Sequence, residues 1–140
     1  CEINKIAYDA DLLVSEGFIE PHFFAGFSGG RKSVLPGVCG RTTVLANHCS
    51  EFINHANART GVLENNPIHE DMLWAAKRAK LAYIVNVVIN DDKKTVAAFA
   101  GTNNDFRCIN KHILNYKTIL AFWQSPSGRE CSYSSWLHPS

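Results

Sequence analysis

Residues 17–38 read GFIEPHFFAGFSGGRKSVLPGV, and this stretch limits the possible folds more than any other. Glycines at 26, 29 and 30 remove side chains where the backbone must bend sharply or come close to a ligand, and a basic pair, Arg31 and Lys32, follows at once. Such a segment reads as a turn that receives an anionic cofactor. Just upstream, residues 10–15 form a short apolar run ended by Glu16 and Gly17, which suits a buried strand whose carboxyl end opens into the loop carrying His22. In open α/β sheets that edge is where ligands sit.

The following segments supply the rest of an α/β domain. Residues 40–56 lack proline after Gly40, and Val44, His48, Phe52 and His55 recur at helical spacing, which predicts one helix. Asn66 and Pro67 give an N-cap and a first-turn proline. Glu70 and Asp71 complement the positive end of the dipole, and Ile68, Met72, Ala75, Ala76 and Ala79 form an apolar stripe, so a second helix is expected over 67–80. Residues 81–89 are β-branched and apolar, 90–93 read as a turn, and 95–100 as a returning strand, which together make a β-hairpin. The expected class is α/β: part of a mostly parallel sheet with flanking helices and a hairpin.

Of the 140 residues, 46% are hydrophobic and 19% charged, enough to bury the core of one globular domain. A net charge of +1 with scattered basic residues leaves no footprint for a polyanion, so nucleic acid is not expected as a partner. No apolar run approaches the about 20 residues needed to cross a bilayer, and a cytoplasmic protein away from membranes is expected. Five cysteines at irregular spacing, without C-x-x-C, indicate reduced, mostly buried thiols rather than a disulfide framework or zinc ribbon. The chain opens on Cys1 close to its first strand, as an internal piece of something longer would. From 108 onward only one acidic residue, Glu130, occurs, and periodicity dissolves. Residues 1–107 are therefore read as the folded part and 108–140 as an atypical tail, disordered or produced by a frame error; an uninterrupted frame with sensible codon use through Ser140 would sink the frame-error reading.

Short motifs leave several chemistries open. Gly26-Phe-Ser-Gly-Gly30 matches the G-x-S-x-G nucleophile elbow, with Ser28 in the serine's place, but an elbow needs an acid and a histidine arriving later from separate strand ends. The same stretch nears a P-loop, except that Arg31 stands where the glycine before Lys-Ser belongs. His22, between Pro21 and two phenylalanines, is either a packed loop histidine or a neutral imidazole suited to acid/base work. Lys32 is either a solvated lysine or one placed for covalent attachment or anion binding. His48 is either a core histidine or a metal ligand, and Cys39, Cys49 and His55 are weaker metal candidates with no standard ligand spacing.

Taken together, residues 20–32, Leu35-Pro-Gly37, Asn47-His48 and Asn66-Pro-Ile-His-Glu-Asp71 resemble the nickel-dependent lactate racemase family, with steps of ten residues from His22 to Lys32 and sixteen to His48. The resemblance covers residues 9–107 and is densest from Gly17 to His48. It implies a nickel pincer nucleotide, a pyridinium mononucleotide with thioamide and thiocarboxylate arms. Lys32 would be its covalent tether, Gly29, Gly30 and Arg31 its neighbours, and His48 the nickel ligand. It implies that His22 exchanges the hydroxyl proton of a small 2-hydroxyacid such as lactate while the Cα hydride moves reversibly to the cofactor. Family members are considerably longer, with a second acid/base histidine, a phosphate-binding segment and a further domain. The resemblance therefore makes this chain an internal segment that needs the missing parts of the same enzyme, the alternative being an inactive remnant or a cofactor-binding module.

Overall fold

The computed structural model describes residues 1–89 and 92–102. The element order is α1 (Lys5–Tyr8), β1 (Leu13–Phe18), β2 (Pro21–His22), β3 (Gly26–Phe27), a 3-10 turn (Gly30–Ser33), α2 (Arg41–Asn47), α3 (Ser50–Ile53), α4 (Pro67–Arg78), β4 (Leu81–Ile89) and β5 (Thr95–Thr102). β1 pairs in parallel with β4, β4 pairs antiparallel with β5, and the sheet order is β1-β4-β5. The chain is thus α/β as expected. Among the described residues one sheet pairing is parallel and the other belongs to the hairpin. Two positions of the expected turn, 90 and 91, and the whole 108–140 tail lie outside the described residues.

Local chemistry explains the long elements. The side-chain oxygen of Asn66 accepts from the N–H groups of Ile68 and His69 at 3.1 and 3.3 Å, and Pro67 starts α4 where no intrahelical donor is needed. Ile68, Met72, Ala75, Ala76 and Ala79 are all buried, joining Leu81, Ile84 and Val88 of β4 and Ile19, Phe27, Val34 and Leu35 of the crossover in one core. Each large side chain withdrawn there contributes roughly 1.5–3 kcal/mol.

Two expectations are corrected. The first strand runs Leu13–Phe18 rather than 10–15, because α1 closes on Asp9 and pairing with β4 carries the strand through Gly17. The single helix over 40–56 is two short ones. After Asn47 the chain turns at His48 and becomes extended at Cys49 before α3. Asn47 is fully buried, and its Nδ2 donates to Ile68 O at 3.3 Å and Asp71 Oδ2 at 2.9 Å, so the end of α2 is fastened to the first turn of α4. The thiols are also less buried than expected: Cys1 is exposed, Cys39 and Cys49 are half-buried, and all three are free.

Candidate functional site

The site lies in the crossover between the two parallel strands, beyond the carboxyl end of β1. Parallel pairing continues past β1, where Ile19 N–H donates to Val87 O at 2.9 Å, and the chain then folds back in the β2-β3 ribbon, which pairs His22 with Gly26. Gly29 and Gly30 follow with φ of 80° and 54°. At Gly29 a Cβ would stand 2.9 Å from Phe18 O and 3.1 Å from Asn86 Oδ1, so only glycine fits. Gly30 is gripped by the sheet: its N–H donates to Asn86 Oδ1 and its carbonyl accepts from Ser15 Oγ, each at 3.3 Å. This sets the start of the 3-10 turn that carries Lys32.

Lys32 is half-buried on a cleft of about 260 Å³ lined by Gly17, Phe18, Glu20, Gly29 and Ser33, among others. Desolvation and the neighbouring Arg31 charge lower its ammonium to about 8, against an upward pull from Glu20. Roughly a tenth of such a lysine is free amine at pH 7, whereas an ordinary lysine keeps well under a thousandth. His22 is lowered to about 4 by desolvation and then by the charges of Lys32, Arg31 and His48, so its ring is neutral near pH 7. Its Nδ1 accepts from Ala25 N–H at 3.3 Å, which leaves the proton on Nε2.

One ring joins the two histidines. Phe24 meets His22 edge-on with centroids 4.6 Å apart and His48 edge-on at 5.1 Å, while Phe23 stacks on His22 at 4.7 Å. His48 caps α2, and its Nδ1 lies 3.0 Å from Val44 O. A carbonyl only accepts, so Nδ1 carries the hydrogen and Nε2 keeps its lone pair, the arrangement of a metal-binding imidazole.

Among the described residues no three of His, Cys, Asp and Glu gather as a metal cage, and Cys39, Cys49 and His55 form no such set. A metal at His48 would thus take one nitrogen from the described residues and need its other donors from elsewhere. A half-buried lysine with a lowered ammonium, a glycine turn closed to side chains and one imidazole with a free nitrogen fit a lysine-tethered, sulfur-bearing nickel group.

Arg31 takes a different place from the one expected beside a cofactor. It is fully buried, and its guanidinium donates to the carbonyls of Ala25, Phe27 and Gly29. Its charge reaches the site through the electrostatics of His22 and Lys32. Among the described residues Ser28 does not have the partner an elbow needs: its Oγ accepts from Glu20 N–H at 2.9 Å and lies within donating distance of Phe18 O and Glu20 O, with no described imidazole beside it. Sequence reasoning missed Phe24, Ser15 and Asn86. Asn86 left a signal, since it is a lone amide in an otherwise apolar strand.

Polar loops gathered at the carboxyl edge of a parallel strand pair place the chain among open α/β domains that hold ligands there. Residues 1–61 match the model of the lactate racemase N-terminal domain, and most of the chain is similar to curated lactate racemases. Lactate racemase from Thermoanaerobacterium thermosaccharolyticum is 71% identical over 100 residues, covering 71% of this chain and 24% of the relative. Lactate racemase from Lactiplantibacillus plantarum is 64% identical over 101 residues, covering 72% and 24%. The lactate racemase apoprotein structure from the first organism aligns with a TM-score of 0.71 at 69% identity, over 73% of this chain and 24% of that one. A protein from Thermotoga maritima aligns with a TM-score of 0.66 at 20% identity, over 83% and 30%, a likeness of fold alone. The chain therefore spans about a quarter of the length of its curated relatives.

Proposed function

We propose that this chain is the cofactor-holding part of a nickel-pincer-dependent racemase of lactate or a similar small 2-hydroxyacid. Lys32 is the covalent tether, His48 the nickel ligand and His22 the acid/base group. The supporting observation is a lysine of lowered basicity whose charge reaches His22, together with a Phe24 ring that touches both His22 and His48. When bound, the nickel pincer nucleotide supplies reversible acceptance of the substrate's Cα hydride, leaving a planar ketoacid that can be re-reduced on either face.

The chain's own residues do the rest. Lys32, partly free amine near neutral pH, is available for acylation and is aimed by the grip of Ser15 and Asn86 on Gly30. Gly29, whose missing side chain lets Phe18 O and Asn86 Oδ1 come close, holds the turn that leads into this lysine. His48 offers Nε2, oriented by its Nδ1–H bond to Val44 O. In its resting form His22 donates Nε2–H to a substrate oxygen; to take the hydroxyl proton the ring shifts its own proton from Nε2 to Nδ1, giving up the 3.3 Å bond from Ala25, and the Nε2 lone pair then accepts that proton and later returns it. A second acid/base group and the substrate's carboxylate contacts come from other parts of the enzyme. We place the protein in the cytoplasm, which the free thiols of Cys1, Cys39 and Cys49 among the described residues suit.

The test is the intact and peptide mass of the full chain after co-production with a pincer-cofactor biosynthetic system. A nickel-bearing adduct on Lys32 that disappears in Lys32→Arg supports the assignment. A folded chain without adduct favours the inactive-remnant reading.

A further inference from the structure

The loop between His22 and Lys32 is held from the inside. Arg31 Nη2 donates to Ala25 O at 2.8 Å and Phe27 O at 2.9 Å, and Nη1 donates to Gly29 O at 3.3 Å. Carbonyls of three alternate residues thus converge on one buried planar cation, a task for the guanidinium fork that a point-charge ammonium does not reproduce. Ala25 is fastened on both sides. Its carbonyl makes the shortest of the three bonds, its N–H donates to His22 Nδ1 at 3.3 Å, and the residue is fully buried, so its backbone has no solvent alternative.

We infer that Arg31 is a positioning residue for His22: by fixing the backbone of Ala25 it keeps the Ala25 N–H on Nδ1 and so assigns the proton of the neutral ring to Nε2. The inference rests on the reading of His22 as the acid/base group, because the tautomer matters only if the ring meets a substrate oxygen. Arg31 itself touches neither substrate nor cofactor in this scheme. A ring in the Nε2–H form donates to a hydroxyl or ketone oxygen. The opposite tautomer would present a lone pair there, and its Nδ1–H would face the Ala25 N–H, donor against donor. At 3.3 Å the bond is at the weak end of the hydrogen-bond range, so it sets the resting form without locking it.

The test is the imidazole ¹⁵N spectrum of the labelled full chain at neutral pH, with His22 assigned by His22→Gln. The Nε2–H form should dominate in the unsubstituted chain. In Arg31→Lys, which keeps the charge and loses the fork, at least a several-fold rise in the Nδ1–H form is expected while the amide spectrum stays folded. A folded Arg31→Lys chain with an unchanged tautomer overturns the proposal, as does an Nδ1–H ring in the unsubstituted chain. If Arg31→Lys does not fold, amide exchange in the unsubstituted chain decides. Exchange of Ala25 roughly tenfold or more slower than that of Phe23, together with the Nε2–H ring, supports the relay, and exchange at an open-loop rate overturns it. Neither readout involves cofactor or turnover. A chain that passes while Lys32 never carries an adduct keeps the relay and loses the racemase reading.

Discussion

Lys32 and His22 carry the same signature of one environment, because each would gain a positive charge in a half-buried place already facing Arg31. Competitive acylation of the folded chain with a trace of acetic anhydride, read by peptide mass across pH, should give Lys32 a midpoint near 8; a midpoint at the ordinary lysine value of about 10.4 would contradict the desolvated site. The same shift affects stability. Folded Lys32 loses its proton near 8 and unfolded lysine near 10.5, so the unfolded chain binds more protons between those values and stability rises with pH across that window. Lys32→Met should therefore raise the melting temperature most below pH 8 and lose its advantage above about 10.5. For His22 the window runs from 6.5 down to about 4, where the unfolded chain protonates first and stability falls. His22→Gln should flatten that part of the acid decline, as followed by melting temperature against pH. Ser28, with its oxygen committed to backbone, should stay unlabelled by an active-site phosphonate.

At the scale of the element, Asn66 joins a helix to the site. Its oxygen caps α4, while its Nδ2 donates to Phe24 O and Val62 O at 2.9 Å each. Asn66→Ala should cost about 2–4 kcal/mol, a cap of about 1 kcal/mol plus buried carbonyls left unpaired, seen as a lower urea midpoint at unchanged slope. Asn66→Asp, which keeps the cap oxygen but turns a carboxylate oxygen toward the two carbonyls, acceptor against acceptor in a buried place, should cost at least as much. What made α4 and β4 readable also explains what was not. Cap, proline and apolar stripe lie within α4, and the β-branched run lies within β4, so local sequence specifies both. The break at His48 is set by Asn47 reaching Ile68 and Asp71, more than twenty positions away, and no periodicity records it. Asp71, expected only as a dipole partner, is the acceptor of that bond. Arg31 looked like a ligand's counter-charge because a basic residue beside a glycine turn usually faces outward. Its burial depends on three carbonyls whose direction only the folded loop fixes. The spacing of His22, Lys32 and His48 was legible as a family motif, whereas Phe24 between the histidines was hidden among ordinary phenylalanines.

Among the described residues the sheet is unevenly covered. Ser15, Ile84, Asn86 and Val88 lie on the buried side of the β1-β4 pair, toward the core shared with α4. On the other side Val14 sits opposite Tyr83, Glu16 opposite Val85 and Phe18 opposite Val87, with Val14, Phe18, Tyr83 and Val85 all exposed. Parallel strands are normally covered on both faces, and a contiguous apolar strip on a small protein is a surface for association. The relatives it matches devote three quarters of their length to sequence this chain does not align with, so in those proteins such a face has further sequence available to cover it. The chain alone should therefore self-associate through this face. Sedimentation velocity over a concentration series should show growth beyond the monomer, and Val14→Thr combined with Val85→Thr should reduce it with little change in melting temperature. Met72→Ala, on the covered side, should do the reverse, costing about 2–5 kcal/mol of stability and leaving the strip's tendency to associate in the folded chain intact. A chain that stays monomeric at every concentration and melts sharply would show that the exposed strip is tolerated and that the chain is stable by itself.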